Sequence, residues 1–284
     1  MTRHVPLILL LLTLTACAQN QSPTQPTPLP TTGVDYSAVG ASDAIGYGGS
    51  VPCFPFTACP DGTGYVPVLV RRLQAAGKTV TLLNLGIPGS VLSAEIEALG
   101  NSLGRHIPSN FINDEAPFVL RTSTLVTVFA GGNDANTIGA AVKAGLGGDD
   151  PTSYVQALTQ DFGRDLVALV GAIRGRAPTA RIVILNLPNL AALPYAAGDS
   201  PADQRELQLI AVGLSAQVNA LTKQGALVID LMCDSRFYQP SIFSSDGFHP
   251  NDTGYAYLAD LVYAAATTGF AAAPQSSCSE MTLF

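Results

Sequence analysis

Apolar residues recur with two different periods along most of the chain. Short runs rich in valine, isoleucine and leucine are typical of buried strands, and the longer segments between them repeat apolar residues at helical spacing. A strand that alternates with a helix in this way predicts an α/β domain with one parallel sheet covered on both faces. We predict strands at residues 34–39, 79–85, 123–130, 180–187 and 226–231, and helices at residues 65–77, 90–99, 153–174, 201–223 and from 251 or 252 onward.

One long stretch, residues 100–122, has no clear period and contains several prolines and asparagines. It predicts a loop with at most one helical turn, and long loops in compact domains are often functional. No internal repeat and no second boundary interrupts the pattern. We therefore predict a single domain that spans residues 34–284.

The amino-terminal pattern predicts export. Residues 1–16 have a basic start and an apolar stretch too short to span a membrane, which is typical of a signal peptide. Leu14-Thr15-Ala16-Cys17 resembles a bacterial lipobox, in which Cys17 is lipidated; an ordinary signal peptide is the alternative. Residues 17–33 are rich in Pro, Thr and Gln and predict an extended tether. We expect a cell-envelope lipoprotein held to a membrane by its lipid, with the leaflet left open.

The chain has five cysteines, which is consistent with export, because disulfides persist in exported proteins. If Cys17 carries lipid, an even number remains. Cys53 and Cys59 flank a short loop rich in proline and aromatic residues, which favours a local bridge, and Cys233 would then pair with Cys278. A zinc site is not expected, since the chain has no Cys-x-x-Cys pair beside a histidine.

Charge excludes one class of partner. Charged residues make up only 12% of the chain, against roughly 25% in an average protein, and the net charge is −7 with no basic cluster. Nucleic-acid binding needs a surface of Lys and Arg that neutralises phosphates. We therefore expect no nucleic-acid partner, and the composition leaves the oligomeric state open.

A serine in a small-residue turn follows the first predicted strand, in Gly40-Ala41-Ser42-Asp43. Open α/β sheets place their ligands at the carboxyl ends of strands. A serine there is a candidate nucleophile if a histidine and a carboxylate reach it. The alternative is an ordinary turn, in which Ser and Gly are common.

Only three histidines are available to act as the base. His4 leaves with the signal peptide, and His106 lies beside Arg105 without a carboxylate partner, so we expect it to be a surface residue. His249 follows Asp246 by three residues, just before a predicted helix start. Asp246 can then orient one ring nitrogen of His249 while the other faces a nucleophile.

Two further turns offer donors for an oxyanion. Gly86 to Ser90 follows the second predicted strand, and Gly131-Gly132-Asn133-Asp134 follows the third. Each alone reads as a common strand-to-helix turn, but both are expected to lie beside Ser42 at the same edge of the sheet.

These blocks, in this order, resemble the SGNH or GDSL hydrolase superfamily. The resemblance implies a three-layer, flavodoxin-like fold with a five-stranded parallel sheet of order 2-1-3-4-5. It implies Ser42 as nucleophile, His249 as base and Asp246 as orienting acid. It further implies an oxyanion hole formed by the backbone amides of Ser42 and Gly89 and by the side chain of Asn133.

One position departs from the family pattern, because Ala41 stands where the family has the Asp that precedes the serine. We interpret Asp43 as a turn residue that bonds its own backbone. The resemblance implies hydrolysis of carboxylic esters through an acyl-enzyme, with no metal or organic cofactor.

The substrate stays open at this point. Apolar loop residues either line an acyl pocket, as in a lipase, or pack as an extension of the core: Phe54, Phe56, Phe111, Ile112, Phe118, Val119 and Leu120. An acetyl esterase or acyltransferase that acts on carbohydrate or cell-envelope polymers fits the same motifs. The alternative from another class is a lipid-anchored binding protein on an inactive hydrolase fold, which predicts a broken triad.

Overall fold

Five parallel strands form one sheet in a computed structural model that describes residues 28–284. The predicted signal peptide, Cys17 and most of the predicted tether lie outside the described residues. The spatial order is 2-1-3-4-5, as the family resemblance implied. The strands are β1 (Gly33–Gly40), β2 (Thr79–Asn84), β3 (Leu125–Phe129), β4 (Arg181–Leu185) and β5 (Leu227–Ile229).

The pairing of β1 sets the position of the serine turn. Tyr36 on β1 lies opposite Leu82 on β2 and Leu125 on β3, with all three strands parallel. The buried Tyr36 hydroxyl bonds Thr127 Oγ1 at 2.7 Å, which satisfies two polar groups inside the sheet. Because the strands are parallel and in register, the turns after β1, β2 and β3 meet at one edge.

Helices cover both faces of the sheet. Along the sheet, the chain moves in one direction from β1 to β2 and in the opposite direction from β3 to β5. Right-handed crossovers in opposite directions place their helices on opposite faces of the sheet. Accordingly, the second helix packs against the last, while the fourth and fifth pack against the sixth. No helix within residues 28–284 is long and apolar enough to cross a membrane. The helices are α1 (Ser42–Ile45), α2 (Tyr65–Ala75), α3 (Ala94–Ser102), α4 (Gly132–Lys143), α5 (Pro151–Arg176), α6 (Pro201–Ala220) and α7 (Asp252–Thr268).

The structure adds one helix that was not predicted and moves several predicted boundaries by one to four residues. Helix α4 was not predicted: it begins with Gly, Asn and Asp, which are weak helix formers, and its buried positions are mostly small residues that give a faint period. Helix α3 begins at Ala94 rather than at residue 90. Strand β1 begins at Gly33, one residue before the predicted start, and the Lys78 ammonium donates to the Pro30 carbonyl at 2.7 Å. The last tether residues therefore belong to the folded body.

Both predicted disulfides are present. Cys53 bonds Cys59 across a Cα–Cα distance of 5.8 Å, and Cys233 bonds Cys278 across 5.7 Å. The second bridge ties the chain end to the body, where the Gln275 amide also donates to the Asp230 carboxylate at 2.9 Å.

The two bridges are expected to differ in their contribution to stability. Cys233 and Cys278 are 45 residues apart, whereas Cys53 and Cys59 are six residues apart. A longer closed loop restricts the unfolded chain more. Replacing both Cys233 and Cys278 with serine should therefore lower the free energy of unfolding by about 4 kcal/mol. Replacing both Cys53 and Cys59 with serine should lower it by less. Denaturant unfolding measures both, and the reverse ranking would contradict this account.

Candidate active site

The candidate nucleophile, Ser42, begins the short helix α1 directly after β1. Its carbonyl accepts a hydrogen bond from the Tyr47 amide at 3.0 Å, and the Ala41 carbonyl accepts from the Ala44 amide at 3.1 Å. These bonds close the turn tightly and leave the Ser42 side chain with 8% exposure at the carboxyl edge of the sheet. A fixed, nearly water-free hydroxyl is well placed to attack a bound group.

His249 reaches Ser42 from the segment before α7. The His249 Nε2 atom lies 2.8 Å from Ser42 Oγ, and its Nδ1 atom lies 2.7 Å from Asp246 Oδ2. The three side chains that the sequence singled out are therefore joined by hydrogen bonds in one line. This is the geometry of a nucleophile, a base and an orienting acid.

Asp246 stays ionised in this arrangement. Burial alone would raise its pKa, but hydrogen bonds from the His249 ring and from the backbone amides of His249 and Phe248 outweigh it and lower the pKa to about 2. The Ser244 hydroxyl also donates to the carboxylate, at 2.8 Å. A permanent negative charge beside Nδ1 stabilises the imidazolium that forms when His249 takes a proton.

Aromatic rings hold His249 on two sides. The Tyr47 ring centroid lies 4.8 Å from that of His249, and the Phe248 centroid lies 4.9 Å away, both in edge contact. Gly247 permits the tight turn between Asp246 and Phe248, since its φ is +71° and a Cβ there would lie 2.6 Å from the Tyr195 amide nitrogen. His106, by contrast, is exposed, as expected from the sequence.

Asp43 takes no part in this line of bonds. Burial raises its pKa, while the charge of His249, a hydrogen bond from Tyr255 and one from its own backbone amide lower it. The Tyr255 hydroxyl lies 3.5 Å from Asp43 Oδ1 and donates to the Tyr47 carbonyl at 2.6 Å. The interpretation of Asp43 as a turn residue agrees with these contacts.

Two of the three predicted oxyanion donors, Ser42 and Asn133, line the same cavity. Asn133 is the second residue of α4, and its Nδ2 atom donates to the Ser90 carbonyl at 2.9 Å, which orients the amide and leaves its second N–H free to bind an oxyanion. Gly89 lies in the turn before Ser90 with a φ of +87°. Ser42, Ser90 and Asn133 line one cavity, whereas Gly89 itself does not.

The cavity beside Ser42 is small and mainly apolar. Of the apolar loop residues considered from the sequence, only Phe111 lines it; Phe54, Phe56 and Phe118 are exposed, and Val119 is buried in the core. Most of the larger apolar wall residues lie in the segments after β4 and β5, and those from Leu187 to Phe237 were not singled out in the sequence. The larger apolar wall residues are Phe111, Phe129, Leu187, Pro188, Leu190, Leu193, Phe237, Phe248 and Pro250.

Comparison with known proteins fits this geometry. Residues 38–257 match the profile of the GDSL-like lipase/acylhydrolase family, and this range covers all the site residues named above. The chain belongs to the GDSL-like lipase/acylhydrolase family.

A curated relative differs from this chain at most positions of the sequence. The chain is 28% identical over 183 residues to a GDSL lipase of Mycobacterium tuberculosis, a match that covers 63% of this chain and 66% of the relative. The chain thus spans slightly less than two thirds of the length of that curated relative.

Solved structures share the fold. An extracellular lipase from Streptomyces rimosus superposes with a TM-score of 0.54 at 19% identity, over 79% of this chain and 97% of that one. A lipase from a goat rumen metagenome gives 0.56 at 17% identity, over 82% and 98%. An acetyl xylan esterase from Geobacillus stearothermophilus gives 0.50 at 15%, over 88% and 100%. At these identities the likeness establishes the fold.

Replacing Asn133 with alanine in this family member is expected to lower kcat by about 100- to 1,000-fold, because one oxyanion donor is lost. The fold should survive, since the side chain is only partly buried and its one bond is to the Ser90 carbonyl. Steady-state hydrolysis of a short-chain aryl ester measures the loss, with thermal unfolding as a check on folding. Full activity in the variant would mean that Asn133 does not bind the oxyanion.

Two buried acids support the site and were missed in the sequence. Glu115 is fully buried, and its Oε2 accepts a hydrogen bond from the Gly40 amide at 2.8 Å, directly before the serine turn. Burial raises the Glu115 pKa well above its usual range, against hydrogen bonds from Gly40 and Ser90 that lower it. Asp134 accepts from the Leu92 amide at 2.9 Å, and burial raises its pKa to about 7. Their positions, in a loop and a glycine turn, gave no sign of burial.

Glu115 holds the chain directly before the serine turn. Its Oε2 atom accepts the hydrogen bond of the Gly40 amide inside the protein. Glutamine keeps an acceptor for Gly40, so Glu115→Gln should retain activity. Methionine has a similar length but no oxygen, so Glu115→Met should lower kcat by about 10- to 100-fold through misplacement of the turn. Equal kcat in the two variants would refute this role.

Proposed function

We propose that the protein hydrolyses carboxylic esters through an acyl-enzyme formed on Ser42. The observation that carries this proposal is the unbroken line of hydrogen bonds from Ser42 Oγ through the His249 ring to Asp246. An inactive binding protein on this fold would be expected to lack one of these members, and the chain has all of them.

The proposed reaction has two halves. His249 Nε2 takes the proton of Ser42 as the oxygen attacks the ester carbonyl, and the oxyanion is held by the amides of Ser42 and Gly89 and by Asn133. When the bond to the alcohol breaks, His249 returns the proton to the leaving oxygen. Water then attacks the acyl-enzyme, with His249 again acting as base, and releases the acid and free Ser42.

Hydrolysis of 4-nitrophenyl acetate and butyrate by the purified protein tests this function. We expect saturable release of 4-nitrophenol that is abolished by prior treatment with a sulfonyl fluoride, which sulfonylates activated serines with loss of fluoride. Hydrolysis that the reagent leaves unchanged would argue against a serine mechanism. Absence of hydrolysis would favour the binding-protein alternative.

A second candidate function is hydrolysis of esters of hydroxyl-rich alcohols, such as acetylated carbohydrate. It is favoured by a groove of about 240 Å³ whose wall includes charged and amide side chains. Its wall includes Tyr195, whose ring packs against Phe248 of the Ser42 cavity at 4.9 Å. Sugar hydroxyls both donate and accept, which suits a wall that mixes cationic, amide and carboxylate groups. Polar groove residues are Arg105, Asn136, Lys143, Tyr195, Asp199, Asp203 and Glu206.

Acetate release from acetylated xylan tests this candidate. We expect a kcat/KM for the acetylated sugar that falls relative to 4-nitrophenyl acetate when Asn136, an amide in the groove wall, is replaced with alanine. Gln156→Ala, an exposed amide of α5 outside the groove wall, serves as the matched control. An unchanged ratio in Asn136→Ala would refute a role for the groove.

We also propose that the protein is a lipid-anchored protein of the cell envelope. The lipobox-like Leu14 to Cys17 and the polar segment after it support this location. The two disulfides fit an oxidising compartment. Metabolic labelling with an alkyne fatty acid should mark the native protein and leave Cys17→Ala unmarked. Label in Cys17→Ala would place any lipid elsewhere.

A further inference from the structure

The cavity beside Ser42 has a volume of about 30 Å³. A cavity needs roughly 10–15 Å³ to hold one water molecule, and an apolar cavity of about 150 Å³ binds benzene. The cavity is therefore several times too small for a ring, and it is also too small for an extended fatty chain. Because its wall is mainly apolar and includes Ser42 and Asn133, it suits the acyl part of an ester better than the polar alcohol.

We propose that this cavity restricts the enzyme to esters of short acids. The proposal rests on the function proposed above and names the substrate class for the same site. Lipases and acylhydrolases give this family its name, so long-chain lipid esters would be equally plausible substrates from the name alone. The proposal predicts that they are poor substrates.

Side chains pack tightly behind Gly131, one of the residues that line the cavity. A Cβ placed on Gly131 would lie 2.9 Å from Leu187 Cδ1 and 3.3 Å from Phe162 Cζ, so these side chains already fill the space behind the strand ends. Leu187 and Phe162 are buried in the core. A longer chain has no free path in this direction.

The side walls are held by further contacts. Phe248 lies between the Tyr195 and His249 rings, with both centroids 4.9 Å away, and Phe237 packs against Phe243 at 5.6 Å. Leu190, Leu193 and Phe237 are each at most 3% exposed. Close-packed interiors give way only at a cost. Widening the cavity for a long chain would disrupt these contacts.

A chain-length series tests the proposal directly. We expect kcat/KM of the wild type for 4-nitrophenyl acetate or butyrate to exceed that for the octanoate by about 100-fold or more, measured below the micelle concentration, because each unaccommodated methylene is costly. Octanoate hydrolysed as well as acetate would overturn the proposal while leaving the ester hydrolase function intact. Failure to hydrolyse any ester would instead overturn the proposed function.

Enlarging the cavity provides an independent arm. Leu190→Ala should raise kcat/KM for the octanoate relative to the acetate by about 10-fold. Leu214→Ala is the matched control, since Leu214 is equally buried in α6 but does not line the cavity, and it should leave the ratio unchanged. If Leu190→Ala does not fold, Leu193→Val is the second wall variant. A ratio that no wall variant moves would also overturn the proposal.

Discussion

Ser42→Ala is expected to lower kcat for 4-nitrophenyl acetate by about 10⁴- to 10⁶-fold, because loss of a nucleophile leaves only the oxyanion hole and binding to act. We assign the role of nucleophile to Ser42 because its Oγ atom lies 2.8 Å from His249 Nε2 and Ser42 lines the cavity. The methyl group of alanine fits the space of the serine, so the fold and substrate binding should persist.

The matched control for Ser42→Ala is Ser102→Ala. Ser102 is exposed at the end of α3, and its hydroxyl bonds only the Leu99 carbonyl of its own helix, so this variant should keep wild-type kcat. Thermal unfolding should be similar for both variants. If Ser42→Ala kept a tenth of the activity or more, another group would have to be the nucleophile.

Asp246→Asn should have the next largest effect, a loss of kcat of about 10³- to 10⁴-fold. Asparagine cannot supply the negative charge that holds His249 Nδ1–H at 2.7 Å and stabilises the imidazolium. The amide also favours the tautomer with the proton on Nε2, which cannot accept from Ser42. Its other partners, the Phe248 and His249 amides, can still bond the side-chain oxygen, so the turn should remain folded.

The pH dependence of Asp246→Asn follows from the lowered pKa. An Asp whose folded pKa is about 2, below the usual 3.8, stabilises the folded state above pH 3.8 and loses this contribution as the pH falls through 2. We therefore expect the free energy of unfolding of the wild type, relative to that of Asp246→Asn, to fall as the pH is lowered from about 4 to 2. A difference that stays constant over that range would contradict a lowered pKa of Asp246. Asp61→Asn, in an exposed turn, is the matched control.

The sequence was informative where function depends on a few residues at fixed points of a regular fold. Strand and helix periods predicted the parallel sheet, and the family resemblance supplied its order. The turn after β1 and the short segment before α7 could be identified because Ser42, Asp246 and His249 stand in short motifs. The chain also has only three histidines, and of these His249 is the one with an acidic residue three positions before it.

The supporting parts of the site depended on contacts between distant segments. Glu115 is an acid in an irregular loop, and only the folded chain shows that it is buried against Gly40, 75 residues away. Several large apolar residues of the cavity wall, such as Leu190 and Phe237, lie in turns after β4 and β5. In the sequence they follow neither a strand period nor a helical period. Exposed Phe54 and Phe56 show the converse, because aromatic residues in a loop need not line the site.

The location of a covalent adduct tests the central claim most directly. An alkyl fluorophosphonate reacts with a serine only when that serine is activated as a nucleophile, and mass spectrometry of the digested protein locates it. We predict one adduct, on the peptide that contains Ser42, in parallel with loss of ester hydrolysis, and none in Ser42→Ala. An adduct on another residue, or an unmodified protein that hydrolyses esters, would contradict the assignment of Ser42.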